Sequence, residues 1–159
     1  MEHIKPDKAK QILLKCEEKD PGWINRIIDE RSKQGYIFGK ISLKREEFGT
    51  LVYDKGRAEE FAQTNAVQLL KVARAYLEIP KRNRDPSIEN LREAIKKEGY
   101  DTDCYLLLRE LYCESDPEGS FYIENGLYRT ISFGSLLIKE EVKYIPLPAI
   151  LIARDKSKD

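Results

Sequence analysis

Phe121-Tyr122-Ile123-Glu124-Asn125-Gly126-Leu127-Tyr128-Arg129-Thr130 is the stretch on which the reading of this chain turns. Phe121 to Ile123 begins a strand, whereas the apolar positions after Gly126, namely Ile131, Phe133, Leu136, Leu137 and Ile138, follow a helical period. Asn125-Gly126 therefore marks a strand-to-helix junction, and such a junction is a place to hold an anion. A helix start presents N–H groups with no intrahelical partner and the positive end of the dipole, and glycine lets the backbone come close to a phosphate. Arg129 sharpens the argument, because a cation in a first helical turn opposes the dipole by a few tenths to about 1 kcal/mol. A locally unfavourable choice points to an external anion. Asn125, Gly126, Arg129 and Thr130 are thus candidate phosphate-binding residues. The alternative is that Gly126 merely makes the turn and Arg129 pairs with a neighbouring carboxylate such as Glu124.

Outward from this junction, Asp103 to Cys113 reads as a strand through Tyr105, Leu106, Leu107 and Leu108, and Asp116-Pro117-Glu118-Gly119 is turn chemistry, so the two strands form a hairpin. Tyr144 to Ala153 supplies a last apolar strand, broken by Pro146 and Pro148, ahead of a loose charged tail over 154–159. Upstream, Pro80 to Pro86 is a basic exposed loop, followed by a helix with Ser87 as its cap, Ile88, Leu91 and Ile95 on its apolar face, and Gly99 at its end. One long helix is expected from Gly56 to Ile79. Asp20 as cap and Pro21 at the first position open a helix carrying Trp23, Ile24, Ile27 and Ile28 and ending before Gly35. Pro6 to Lys19 fits a short amphipathic helix, and Tyr36 to Tyr53 reads as one or two short strands or an irregular excursion.

From about Leu77 to Ala153 these features resemble the ParB/sulfiredoxin-like superfamily. Pro80 to Gly99, with Arg82, Arg84 and Pro86, is similar to its first conserved box, an extended basic loop leading into a helix. Asn125-Gly126-Leu127-Tyr128-Arg129 is similar to its second box, in which a Gly and an Arg contact the phosphates of a nucleotide. Asn125 occupies the place of the usual Asp, and Tyr128 that of the customary His. Leu127 stands where sulfiredoxins carry their reactive Cys, so their reaction is not implied. The resemblance implies an α+β fold with a small mixed sheet and packed helices. Length and periodicity imply one domain: a mainly helical N-terminal part over 1–76 that takes no part in the resemblance, a core over 77–153, and a tail over 154–159. The resemblance also implies a nucleoside triphosphate or diphosphate with Mg²⁺, and a nucleotide-binding protein with phosphotransfer or hydrolytic activity. Arg82 and Arg84 are candidates for a second phosphate contact closing over the site, a task that suits guanidinium geometry. Glu89, Asp101, Asp103 and Glu124 are candidate Mg²⁺ ligands beside such a phosphate, with no metal site of the protein's own implied. The second reading is a non-catalytic ParB-like module that binds DNA or a protein through its N-terminal helices. The stripe of Trp23 and Ile27 is then either a partner surface or, as stripes at helical spacing usually are, core.

Composition bounds these readings. At 159 residues and 41% hydrophobic, the chain can bury one core without staples. No apolar run approaches the roughly 20 residues of a membrane span. Met1 to Lys10 does not read as a secretory signal, so a cytoplasmic location is expected. Cys16, Cys104 and Cys113 have no CxxC spacing and are expected to be buried free thiols. His3 is the only histidine and lies where the chain is expected to fray, which argues against a histidine triad or a His metal cluster. Lys+Arg and Asp+Glu balance at 28 each, so the body is not the basic surface of a non-specific nucleic-acid binder.

Overall fold

A computed structural model describes residues 1–16, 19–112 and 115–158. Its elements run β1 (Glu2–Ile4), α1 (Pro6–Leu13), α2 (Pro21–Lys33), β2 (Ile37–Leu43), α3 (Arg45–Gly49), α4 (Lys55–Ala62) and α5 (Leu69–Glu78), then a 3-10 turn (Lys81–Asn83), α6 (Pro86–Glu98), β3 (Leu106–Glu110), β4 (Phe121–Asn125), α7 (Leu127–Ile138) and β5 (Leu147–Ala153), with a final 3-10 turn (Lys156–Lys158). Local chemistry accounts for many of these boundaries. Asp20 accepts from the N–H groups of Gly22 and Trp23, and Asp85 from those of Ser87 and Ile88; in both helices proline takes the first turn, where its missing N–H costs nothing. The cap of α6 is therefore Asp85 and not Ser87, whose own N–H is one of the two groups being capped.

The strands form one mixed sheet in the order β1-β2-β5-β3-β4, with β3 and β5 parallel and the other pairs antiparallel. The fold is α+β. Pro148 is accommodated near the start of the central strand β5, opposite Ser42, one residue before the ladder to β3 begins at Ala149. The pleat divides the core in two. Leu106, Leu108, Ala149 and Leu151 face a layer built from α3 to α7, while Leu107, Ile150 and Ile152 face α1 and α2 through Ala9, Ile12, Leu13, Ile24 and Ile28. Trp23 and Ile27 pack at the margin of this second core.

Three expectations need correction. The chain start does not fray: Glu2–Ile4 pairs with β2, His3 lying opposite Gly39. Within the 1–76 part, β1 and β2 extend the same sheet as the strands of the 77–153 part. The single long helix is two. Gln63 turns left-handed at φ 52°, and the residues after it run beside 51–53, with Tyr53 N–H bonded to Val67 O and Leu69 N–H to Leu51 O. Gln63, Thr64 and Asn65 offer no apolar face there, and Thr and Asn favour turns over helix interiors. Finally, Cys16 and Cys104 are not free thiols but a disulfide, with Cα atoms 4.9 Å apart. Cys113, the third thiol, lies outside the described residues.

Candidate functional site

The β4–α7 junction borders a cleft of about 230 Å³. Gly126 makes the corner at φ 115°, ψ 24°, and a Cβ there would sit 2.5 Å from Leu106 Cδ2. The first helical bond runs from Thr130 N–H to Gly126 O at 2.9 Å, so the N–H groups of Leu127, Tyr128 and Arg129 precede the hydrogen-bonded ladder of α7. Tyr53 pins this turn from beneath, its hydroxyl donating to Leu127 O at 3.0 Å. Burial, reinforced by the neighbouring Tyr128 and Asp54, pushes the Tyr53 hydroxyl far up, so it remains a neutral donor.

Three cations line the cleft, and they come from three separate segments. Lys19, in the connection between α1 and α2, donates to Asn125 Oδ1. Arg57, in α4, is exposed, lies over the Phe61 ring at 5.8 Å and pairs with Glu60 at 2.7 Å, a hydrogen bond that raises its already high pKa. Arg129 is buried, with its guanidinium 5.3 Å over the ring of Tyr100. Glu124, the carboxylate of the lining, accepts from Arg109 at 3.2 Å and Arg31 at 3.5 Å, so its charge is met on the side of the sheet.

One wall is aromatic. Tyr128 packs on Phe61 with ring centroids 5.0 Å apart and planes 36° apart. Phe61 is buried, whereas Tyr128 is 44% exposed; among the described residues only Met1 is a more exposed large apolar side chain. A half-exposed aromatic face, fixed from behind and beside cations, is a surface on which a planar ring can lie.

Of the residues singled out from sequence, Asn125, Gly126 and Arg129 come together around the cleft. Thr130 is at the same turn, but its hydroxyl is fully buried and donates back to Gly126 O and Leu127 O. Arg82 and Arg84 do not line the cleft. Arg82 is exposed on its 3-10 turn, and Arg84 closes the C-terminal end of α5, donating to Ile79 O and Leu77 O at 2.9 Å each and approaching Glu89 at 3.6 Å. The geometry explains the difference: the last carbonyls of α5 need donors, and a guanidinium five to seven residues on reaches them.

The acidic candidates are likewise dispersed. Glu89 is held by Tyr76, Arg92 and Arg84, Glu124 by its two arginines, and Asp101 caps its own turn at the Asp103 N–H. Among the described residues no group of three or more His, Cys, Asp or Glu side chains is placed to hold a metal ion. No described helix is long and apolar enough to cross a membrane.

Lys19, Arg57, Phe61 and Tyr128 were not legible as site residues, because three of them reach the junction only through tertiary packing. Tyr128 alone had a local signal, an aromatic side chain in the first turn of a helix beside a glycine. No family model, no curated protein and no solved structure matches the chain.

Proposed function

We propose that this chain is a divergent ParB/sulfiredoxin-like domain that binds a nucleotide in the β4–α7 cleft. The phosphate sits against the N–H groups of Leu127, Tyr128 and Arg129 with Lys19 and Arg57 as counter-charges, and the base lies on Tyr128. One observation carries this reading: a glycine-cornered helix start, a set of three cations and a propped aromatic face meet in a single cleft. The volume of about 230 Å³ is below the roughly 300–1,000 Å³ of sites that engulf drug-sized ligands. It suits a phosphate and part of a sugar, leaving the base outside on the aromatic wall.

The reading is of binding and not of catalysis. The cleft's carboxylate, Glu124, is already engaged by two guanidinium groups and is a poor general base. The balanced net charge and the burial of Ile24 and Ile28 against the sheet favour a nucleotide over a duplex docked on α1 and α2. Any Mg²⁺ arrives on the phosphates, and the working compartment is the cytoplasm.

Thermal denaturation with ATP, CTP, GTP, ADP and inorganic phosphate, each with and without Mg²⁺, tests this. A nucleotide at one hundred times its dissociation constant adds about 2.7 kcal/mol to stability. Tyr128→Ala should reduce the nucleotide shift towards that of phosphate alone, since a stacked base contributes roughly 1–3 kcal/mol. A protein whose melting point responds to none of the nucleotides, or responds equally with and without the Tyr128 ring, does not work as described.

A further inference from the structure

The disulfide between Cys16 and Cys104 spans 88 residues of sequence, and both of its ends lead to the cleft. On one side Lys19 is three residues beyond Cys16, its N–H bonded to Cys16 O at 3.2 Å and its ammonium group bonded to Asn125. On the other, Tyr100 donates its hydroxyl to Cys104 O at 3.5 Å and carries the Arg129 guanidinium over its ring. Two of the three cleft cations are thus strapped by one sulfur–sulfur bond, while Arg57 stands on α4 apart from it. A disulfide restrains the segments it joins chiefly by removing chain freedom, and more so for long loops. Disulfides are uncommon in cytoplasmic proteins, where those that occur are usually transient or redox-sensing.

We infer that the Cys16–Cys104 bond makes the nucleotide site redox-responsive, an inference that rests on the reading of the cleft given above. In the disulfide form Cys16 is fastened to the turn at Cys104, which holds Lys19 against Asn125 beside the phosphate position and Tyr100 against the Arg129 side chain behind it. In the dithiol form the α1–α2 connection is released and the site loses Lys19 first. The chemistry is thiol–disulfide exchange. Closing the bond takes two electrons and two protons from the cysteine thiols and passes them to a low-molecular-weight disulfide, which leaves as two thiols. Opening begins when an external thiolate attacks one sulfur and expels the other as a thiolate; a second external thiol then resolves the mixed disulfide. Both cysteines are less than 5% exposed, so attack follows local opening of the segments around them. A phosphate gripped by Lys19 and α7 opposes that opening. Linkage is reciprocal: the factor by which reduction weakens nucleotide binding is the factor by which nucleotide favours the disulfide.

The full chain is titrated with ATP in two states, oxidised and dithiothreitol-reduced, with the thiols counted by mass after alkylation. Reduction should weaken ATP binding by about tenfold, within the roughly 5–150-fold span of coupled sites. Saturating ATP should move the dithiothreitol ratio at half-reduction by the same factor. The Cys16→Ala/Cys104→Ala double variant should bind like the reduced protein, with its far-ultraviolet circular dichroism retained. Equal affinity in both states, or an exchange equilibrium indifferent to ATP, overturns the coupling and leaves the nucleotide reading standing. A reduced protein that loses its helical signal makes the bond a staple and overturns the switch. Absence of ATP binding in either state removes the nucleotide reading, and this inference with it.

Discussion

Replacing Gly126 by alanine separates two costs that the junction imposes. The first is backbone strain: at φ 115° an L-residue in the left-handed region costs about 1–2 kcal/mol. The second is contact, because the new Cβ would lie 2.5 Å from Cδ2 of Leu106, which is fully buried and has little room to withdraw. Overpacking of that kind costs about 1–3 kcal/mol, so Gly126→Ala should destabilise by about 2–5 kcal/mol. Gly99→Ala is the internal control. Its φ of 86° and ψ of 169° carry a comparable backbone cost of about 1–3 kcal/mol, but nothing stands within 4 Å of its Cβ. The gain from stiffening the unfolded chain is common to both variants and cancels in the comparison. Equilibrium urea denaturation should rank Gly126→Ala below Gly99→Ala by at least about 1 kcal/mol. In a Leu106→Val background, which lacks the offending carbon, that excess should vanish. A Gly126→Ala variant no weaker than Gly99→Ala, or an excess that survives Leu106→Val, refutes the described packing of the corner.

Glu89 lies in a part-buried network, 2.6 Å from the Tyr76 hydroxyl and 3.0 Å from Arg92. Burial pushes its carboxyl up, but the hydrogen bonds from Tyr76 and Arg92 and the charges of Arg92 and Arg84 outweigh this and hold it below the ordinary carboxylate range. Its contribution is therefore present above the unfolded carboxylate pKa and lost as pH falls through the lower folded value. Glu89→Gln should cost about 2–3 kcal/mol at neutral pH, somewhat under a fully buried pair, and should flatten the acid limb of the stability curve; an unchanged acid limb would contradict the network. At the alkaline end, burial pushes Tyr122, helped by the Asp54 charge, and Tyr144 up to about 12 from the ordinary 10.0. Each stays protonated in the folded chain after the unfolded chain has ionised, so urea midpoints should hold steady up to about pH 10 and fall towards pH 12, with shallower slopes in Tyr122→Phe and Tyr144→Phe.

Much of the fold was legible because it is written in local chemistry. Asp20-Pro21 and Asp85-Pro86 open helices whatever surrounds them, the Asp116–Gly119 turn makes a hairpin, and Gly126 separates a strand from a helix. What escaped was set by partners distant in sequence. Three residues such as Glu2–Ile4 have no strand signal of their own and become β1 only because β2 offers its edge. The break at Gln63 depends on the return path beside Leu51 and Tyr53, whereas the apolar spacing on either side of it reads as one continuous helix. The same logic governs the site. Asn125, Gly126 and Arg129 are neighbours in sequence and could be read together, but Lys19, Arg57 and Phe61 are brought to them by packing. Arg84 shows the converse: a guanidinium that looks available in an isolated basic loop is consumed by the nearest helix end.

The most direct test follows the backbone amides of a ¹⁵N-labelled protein by nuclear magnetic resonance while ATP or CTP is added. The account predicts that the signals of Gly126, Leu127, Tyr128 and Arg129 move first and saturate together with that of Lys19. Saturating shifts confined to another face of the molecule, or no shifts at millimolar nucleotide, would contradict it.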